Sequence, residues 1–366
     1  MNSSIFSFKA WRLAIAVIAF FLLMEAIFRI WYFGPESVYA FWRYSPEPIG
    51  SAGVVVPDTS SRIGYRMVSG QSGYFKGAPF KTNSHGFRGE EAAIEKAHDV
   101  FRIAVLGSSV TMGSGVSNQQ TWPAQLQELL DEKASGKFEV LNFAVGGYKA
   151  IQIEAHFWKQ VVHFNPDLVM LPLETTQLNK IVRAPKNFGE FRENKTFKLR
   201  YYLSDFFSLA AIRTYAQDML KYLKQLGWYG YAPHWRVSQP GLQEDGKKEK
   251  EFKKKKKVSR AKSVKKFSSR LSEANMPLIV FGLPNSLIMG EGERKMQKSL
   301  YQNFVNNVLA FSVYDDVANL IGPKDRIYPG DRHPNSRAHR LFSESIFRNI
   351  WPYLQNEVKN LEREGR

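Results

Sequence analysis

Four short runs rich in apolar and β-branched residues punctuate the chain: FRIAVLG at 101–107, FEVLNFA at 138–144, DLVMLPL at 167–173 and PLIVFGL at 277–283. Each has a stretch of helical hydrophobic period nearby, at 119–134, 149–163, 259–275 and 291–311. Runs that are apolar at nearly every position predict strands buried on both faces. With helices between them they predict a parallel sheet in a three-layer α/β/α arrangement. FSVYDDV at 311–317 is expected as a fifth strand and 336–361 as a closing helix. The third and fourth strands lie more than a hundred residues apart, too far for one crossover, so 177–258 holds an insertion, with a helix at 208–226.

The N-terminal pattern is different. Leu13 to Met24 carries no charge, and the segment 13–33, continued through Glu25 and Arg29, has 21 residues. That matches the roughly 20 needed to cross about 30 Å of hydrocarbon as a helix. Glu25 and Arg29 stand four apart and can pair on one face, while Trp31, Tyr32 and Phe33 fit an aromatic belt. Lys9 and Arg12 favour a cytoplasmic N-terminus, residues 1–12, which sends the rest of the chain across. The segment therefore reads as an uncleaved signal anchor of a single-pass membrane protein whose main domain is extracytoplasmic, periplasmic or at the cell surface. A cleaved signal, with Val38-Tyr39-Ala40 as the processing site, is the alternative. Residues 34–100 are rich in Gly, Pro, Ser and aromatics; they read as a linker that becomes an irregular, partly β lead-in to a domain at 101–361.

Charge and composition narrow the chemistry. Lys and Arg exceed Asp and Glu by 51 − 34 = 17. Residues 247–266 contain twelve Lys or Arg against two Glu, so the remainder is only mildly basic. This run reads first as a solvated loop and helix face, second as a contact for anionic lipid or an acidic glycan; an extracytoplasmic domain would not meet nucleic acid. Cysteine is absent. Disulfides, thiol nucleophiles and Cys-ligated metal are thereby excluded. His85, His98, His156, His163 and His234 show no close metal-ligand spacing, and neither a metal nor a cofactor is expected.

In sheets of this kind ligands bind beyond the carboxyl ends of the strands. Three segments lie there. GSSVTMGSGV, Gly107 to Val116, follows the first strand; its small residues permit a sharp turn, and a serine there is placed to be a nucleophile. It is neither Gly-x-Ser-x-Gly nor a phosphate loop. LNFAVGGYKA, Leu141 to Ala150, runs from a strand into Gly146-Gly147, where a glycine N–H can serve as an oxyanion donor or simply make a turn. DRHPNSRAH, Asp331 to His339, places a histidine two residues from a carboxylate, the pairing of a general base with its orienting acid. His339 falls on the closing helix and receives no role. Arg88, in GFRG, reads as a structural tie from the lead-in to the sheet.

In this order, at these strand ends, the three segments resemble the SGNH (GDSL) hydrolase superfamily, and VLGSSVTMGSGV, TWPAQL and TNSHGFRGEE (82–91) are similar to its membrane-anchored bacterial branch, related to polysaccharide O-acetyltransferases and esterases. The resemblance covers roughly 80–350. It implies a flavodoxin-like SGNH hydrolase fold, with Ser109 as nucleophile, His333 as base and Asp331 as acid. It implies an oxyanion hole from the main-chain N–H groups of Ser109 and Gly147 and a side chain of the third block. There the chain departs from the family, since Thr176 and Gln177 stand where Asn and Asp are usual. Ser108 replaces the usual aspartate beside the nucleophile. The last block reads Asp-x-His, with Gly330 before it, where Asp-x-x-His is usual; the shorter spacing also occurs in alginate-type O-acetyltransferases.

The implied activity is that of a serine esterase or O-acyltransferase acting on ester-linked acyl groups, acetyl by preference, of a cell-envelope polysaccharide or glycolipid. The alternative, motivated by Thr176 and the short Asp-x-His spacing, is a glycan-binding or envelope-assembly protein on the same scaffold. The aromatics of GWYGYAPHW (227–235) read as packing of the insertion before sugar stacking, and Ser263 and Lys266 match Ser-x-x-Lys by chance within a lysine-rich stretch.

Overall fold

A computed structural model describes residues 3–39, 54–174 apart from 59 and 61, 265–284, 308–328 and 331–364. The N-terminal apolar segment lies in helix α1 (Ser3–Phe33), followed by the short α2 (Glu36–Tyr39). Within α1 the stretch Ala10–Trp31 has 22 residues. At 1.5 Å per residue it is about 33 Å long, sufficient for a membrane anchor or a signal sequence. Leu13, Ile15, Phe20 and Leu23 are exposed along it. The expected pair forms, Arg29 donating to Glu25 at 2.6 Å.

The lead-in folds as two antiparallel hairpins. Strand β1 (Val55–Pro57) pairs with β2 (Tyr65–Met67), and β3 (Ser72–Phe75) with β4 (Ala78–Lys81). The second hairpin closes at Phe75 and Ala78 through the two-residue turn Lys76-Gly77, whose φ angles are 51° and 83°. Two positive φ values give the turn the twist of its flanking strands. For Lys76 the left-handed conformation costs about 1–2 kcal/mol. Phe75 and Phe80 are buried and meet edge to face, 5.7 Å between centroids, which roots the hairpin in the core.

The four apolar runs form the parallel sheet expected of them. After β5 (Phe101–Val105) come α3 (Ser109–Met112), α4 (Trp122–Asp131), β6 (Phe138–Asn142), α5 (Ala150–Lys159) and β7 (Leu168–Glu174). A helix at 265–273, α6, precedes β8 (Leu278–Leu283). The fifth strand, β9, is Val308–Ser312. Lateral order is β6-β5-β7-β8-β9, every neighbour parallel. This is the doubly wound, flavodoxin-like order, reversing direction beside β5.

The expectation of a strand at 311–317 is corrected. Residues 313–317 are helix α7 (Val313–Val317), because Ser312 caps its amino end by accepting from the Asp315 N–H at 3.3 Å, with Asp315 and Asp316 in the first turn. Strand β10 (Arg326–Tyr328) then pairs antiparallel with β11 (Asp331–Pro334), and α8 (Ser336–Glu364) closes the chain. The insertion at 177–258, its helix at 208–226, the aromatics at 227–235 and all but the last two residues of the lysine-rich run lie outside the described residues.

Alternate positions along each strand serve opposite cores. Ala104, Val169, Leu171 and Val280 pack with α5, α6 and the lead-in residues Met67, Phe80 and Phe87. Ile103, Val105, Met170, Ile279 and Phe281 pack with Trp122 and Leu126 of α4, Val313 of α7 and Phe342 and Ile346 of α8. The lead-in is thus part of one helical layer. At the free edge of the sheet, the Gln127 side chain of α4 donates to the Phe138 carbonyl at 2.9 Å and accepts from the Val140 N–H at 2.7 Å. It pairs with β6 as an adjacent strand would.

Candidate active site

The nucleophile candidate stands at the carboxyl end of β5. Ser109 is half-buried and opens α3, with buried Ser108 in extended backbone before it. Three contacts hold the turn. Asn142, at the end of β6, donates from Nδ2 to the Thr111 carbonyl at 3.0 Å. The Arg88 guanidinium, buried, donates to the carbonyls of Met112 at 3.0 Å, Gly113 and Val116, and to Asn118 Oδ1 at 2.9 Å, lying 4.7 Å from the Phe80 ring centroid. Val145 N–H donates to the Gly107 carbonyl at 3.3 Å, tying the turn to the segment that follows β6.

That segment, 145–147, is equally fixed. Gly146 N–H points at Met112 Sδ, 3.3 Å away, and the Gly146 carbonyl accepts from the Tyr65 hydroxyl at 2.8 Å. Tyr148 donates its hydroxyl to the Tyr65 carbonyl at 2.5 Å, the two rings meeting edge to face. Burial raises both phenols above their ordinary range, so they stay protonated and able to donate. Gly147 has φ 80°, and a Cβ there would meet Tyr65 Oη at 2.6 Å. Among the described residues neither Ser109 N–H nor Gly147 N–H has a hydrogen-bond acceptor. Two unpaired main-chain donors at neighbouring strand ends are what an oxyanion requires.

Asp331 and His333 are brought together by a strand. Two residues apart on β11, their side chains fall on one face, which is why Asp-x-His suffices here. Asp331 Oδ1 accepts from the His333 main-chain N–H at 2.9 Å and from the ring Nδ1. The contact puts the ring proton on Nδ1 and leaves Nε2 as a lone-pair base. Asp331 Oδ2 accepts from Lys76 Nζ at the hairpin tip. Burial alone would raise the Asp331 carboxyl; the charges and hydrogen bonds of His333 and Lys76 overcome it and hold the group well below the usual carboxylate range.

Strand β11 lies against α3, Cα atoms of the two elements approaching within 8 Å. Among the described residues no hydrogen bond joins the Ser109 hydroxyl to the His333 ring. Such contacts are often long before substrate binds. Thr176, Gln177 and Gly330 lie outside the described residues. A cavity of about 380 Å³ opens elsewhere, at the β6 edge, lined among others by Glu90, Asn118, Glu128 and Phe138 and by none of Ser109, Asp331 and His333.

Several residues that shape the site carry no motif. Asn142, Tyr65 and Lys76 act across the fold, and only the Lys-Gly pair between short apolar stretches signals the hairpin that delivers Lys76. Arg88 ties the lead-in to the sheet as expected, through the loop that follows Ser109. His339, on α8, caps α4: its Nδ1 accepts from the Trp122 N–H at 3.1 Å. Burial, reinforced by the charges of Arg88 and His333, pushes it down to about 3 and keeps it a neutral acceptor.

No protein-family model matches the chain, and no curated protein matches it. Solved structures similar to it include the lipase Lip_vut3 from a goat rumen metagenome, at 12% identity over 68% of this chain and 96% of that one, TM-score 0.40. They include the psychrotrophic esterase EstA from a Pseudoalteromonas species, at 14% over 69% and 98%, TM-score 0.39. A catalytic mutant of Axe2, an acetylxylan esterase from Geobacillus stearothermophilus, is similar at 12% over 68% and 94%, TM-score 0.37.

Proposed function

We propose that the protein is a serine esterase or O-acyltransferase that works through an acyl-serine intermediate. The observation that carries this reading is the Asp331–His333 pair, formed on a strand that lies against the helix headed by Ser109. The proton of Ser109 Oγ passes to His333 Nε2 as Oγ bonds to the ester carbonyl carbon. The Ser109 and Gly147 N–H groups receive the oxyanion, with Thr176 or Gln177 as the proposed third donor. Collapse expels the alcohol, which takes the proton from Nε2. Water, or a sugar hydroxyl, then gives its proton to Nε2 as its oxygen bonds to the acyl carbon, and collapse breaks the bond to Ser109 Oγ, which takes the proton back from Nε2. Asp331 holds the ring and stabilises the imidazolium throughout.

The proposed substrate is an O-acyl, by preference O-acetyl, group on a cell-envelope polysaccharide or glycolipid, met outside the cytoplasm by a domain anchored through α1. The lysine-rich run at 247–266 is the proposed contact for anionic lipid or acidic glycan. A serine-directed fluorophosphonate tests the chemistry: labelling of the wild type and none of Ser109→Ala, with both chains folded by circular dichroism, is the expected result. The absent Ser109–His333 hydrogen bond favours a second reading, a non-catalytic glycan-binding or assembly protein, which equal labelling of both chains, or of neither, would leave standing.

A further inference from the structure

We propose that Lys76 is a positioning residue for the Asp331–His333 pair, its ammonium locking the carboxylate in the orientation that faces the imidazole; the inference rests on the acyl-serine reading above. Lys76 is 255 residues distant in sequence, yet Nζ contacts Asp331 Oδ2 and lies 3.5 Å from His333 Nδ1. Its side chain is 11% exposed, as is that of Asp331. A buried ammonium persists only where it is paired.

The backbone points the same way. Lys76 holds φ 51° at a turn position that favours Asn or Gly. The hairpin turn demands this conformation, and the contacts at the far end of the side chain can offset its cost. The hairpin cannot swing away freely, because Phe75 and Phe80 on either side of the turn are buried, and Nζ lies 5.7 Å from the Phe75 ring centroid.

The carboxylate divides its oxygens between two tasks. Oδ1 serves His333, through the ring and the main-chain N–H. Among the described residues Oδ2 has Lys76 as its hydrogen-bond donor. Rotation of an aspartate about its terminal torsion is soft and nearly two-fold. Without the ammonium Oδ2 loses its donor and the carboxylate is tethered through Oδ1 alone, so it holds the ring less firmly in the orientation that the proposed proton transfer from Ser109 needs. The same ammonium offsets part of the carboxylate charge that favours imidazolium, so the two effects oppose each other. We commit to orientation as the larger, since a displacement of about 1 Å costs on the order of 100-fold.

The test uses the full-length chain in detergent and the second-order rate of Ser109 labelling by a fluorophosphonate, with thermal melting recorded for each variant. Lys76→Met is expected to label about 10- to 100-fold more slowly than wild type, and Lys76→Arg within a few-fold of it. Ethylammonium is expected to accelerate Lys76→Ala and leave the wild type unchanged. Lys76→Met labelling at the wild-type rate or faster overturns the proposal and leaves the acyl-serine reading intact. So does a slow Lys76→Ala that melts early and ignores ethylammonium, which marks a merely structural role. An unlabelled wild type removes the acyl-serine reading and this proposal with it.

Discussion

The hydroxyl of Tyr65 occupies the space that a β-carbon on Gly147 would need, the separation being 2.6 Å. Lead-in and the turn at Gly147 are therefore fitted to each other, and both the left-handed φ and the contact oppose a side chain. Gly147→Ala is expected to lower stability by about 1–3 kcal/mol and to slow Ser109 labelling by ~10²–10³ if the Gly147 N–H is displaced. Tyr65→Phe removes the oxygen while baring the Gly146 carbonyl, at about 1 kcal/mol. In a double-mutant cycle by denaturant melts the pair should destabilise less than the two singles added; strict additivity would mean the clash is not felt.

Arg88 donates to carbonyls of the loop that follows Ser109 and, among the described residues, has no carboxylate partner. Arg88→Met leaves the buried Met112 and Val116 carbonyls without donors, at about 1–3 kcal/mol each. Arg88→Lys should recover little, because one ammonium cannot span three carbonyls. Urea denaturation midpoints check this, and a lysine variant as stable as wild type would count against the fork geometry.

Two buried histidines contribute to the acid response between about pH 7 and 5. Burial pushes His156 down to about 4 and His339 to about 3, from an ordinary 6.5. Between those values the unfolded chain binds protons that the folded chain refuses, so stability falls as pH drops below about 6.5, by up to about 1.4 kcal/mol per unit for each histidine. Above pH 7 neither contributes a slope. His156→Phe should flatten the decline in denaturation midpoint between pH 7 and 5 relative to wild type. An unchanged decline would assign the acid sensitivity elsewhere.

The lack of cysteine makes membrane topology directly measurable. Gln355 is exposed on α8, and Gln355→Cys introduces a single thiol. A membrane-impermeant maleimide should label it in intact cells if the domain lies outside the cytoplasm. Labelling only after permeabilisation would reverse the proposed orientation.

The strands were readable because fully apolar runs have one physical use at this length, burial on both faces, and the observed limits follow them closely. The fifth was misread because Phe311, Val313 and Val317 look alike in a strand and in a short capped helix, and Ser312 decides by its side-chain hydrogen bond. The Asp331–His333 pairing was visible as spacing, although the strand that makes two residues sufficient was not. Tyr65 and Lys76 were invisible as site residues, since their partners lie 81 and 255 positions away and local pattern carries no information over such distances. Asn142 had only its place at a strand end to signal it.

Gln127 gives the sheet a boundary. A strand margin with open amides and carbonyls is a template for adding further chains, and here the Gln127 side-chain amide fills part of that vacancy from within, beside an antiparallel bridge between Arg88 and Asn142. Substituting Gln127 would do more than loosen one helix: it would strip the Phe138 carbonyl and the Val140 N–H of these partners and leave that stretch of the margin open to water or to another chain.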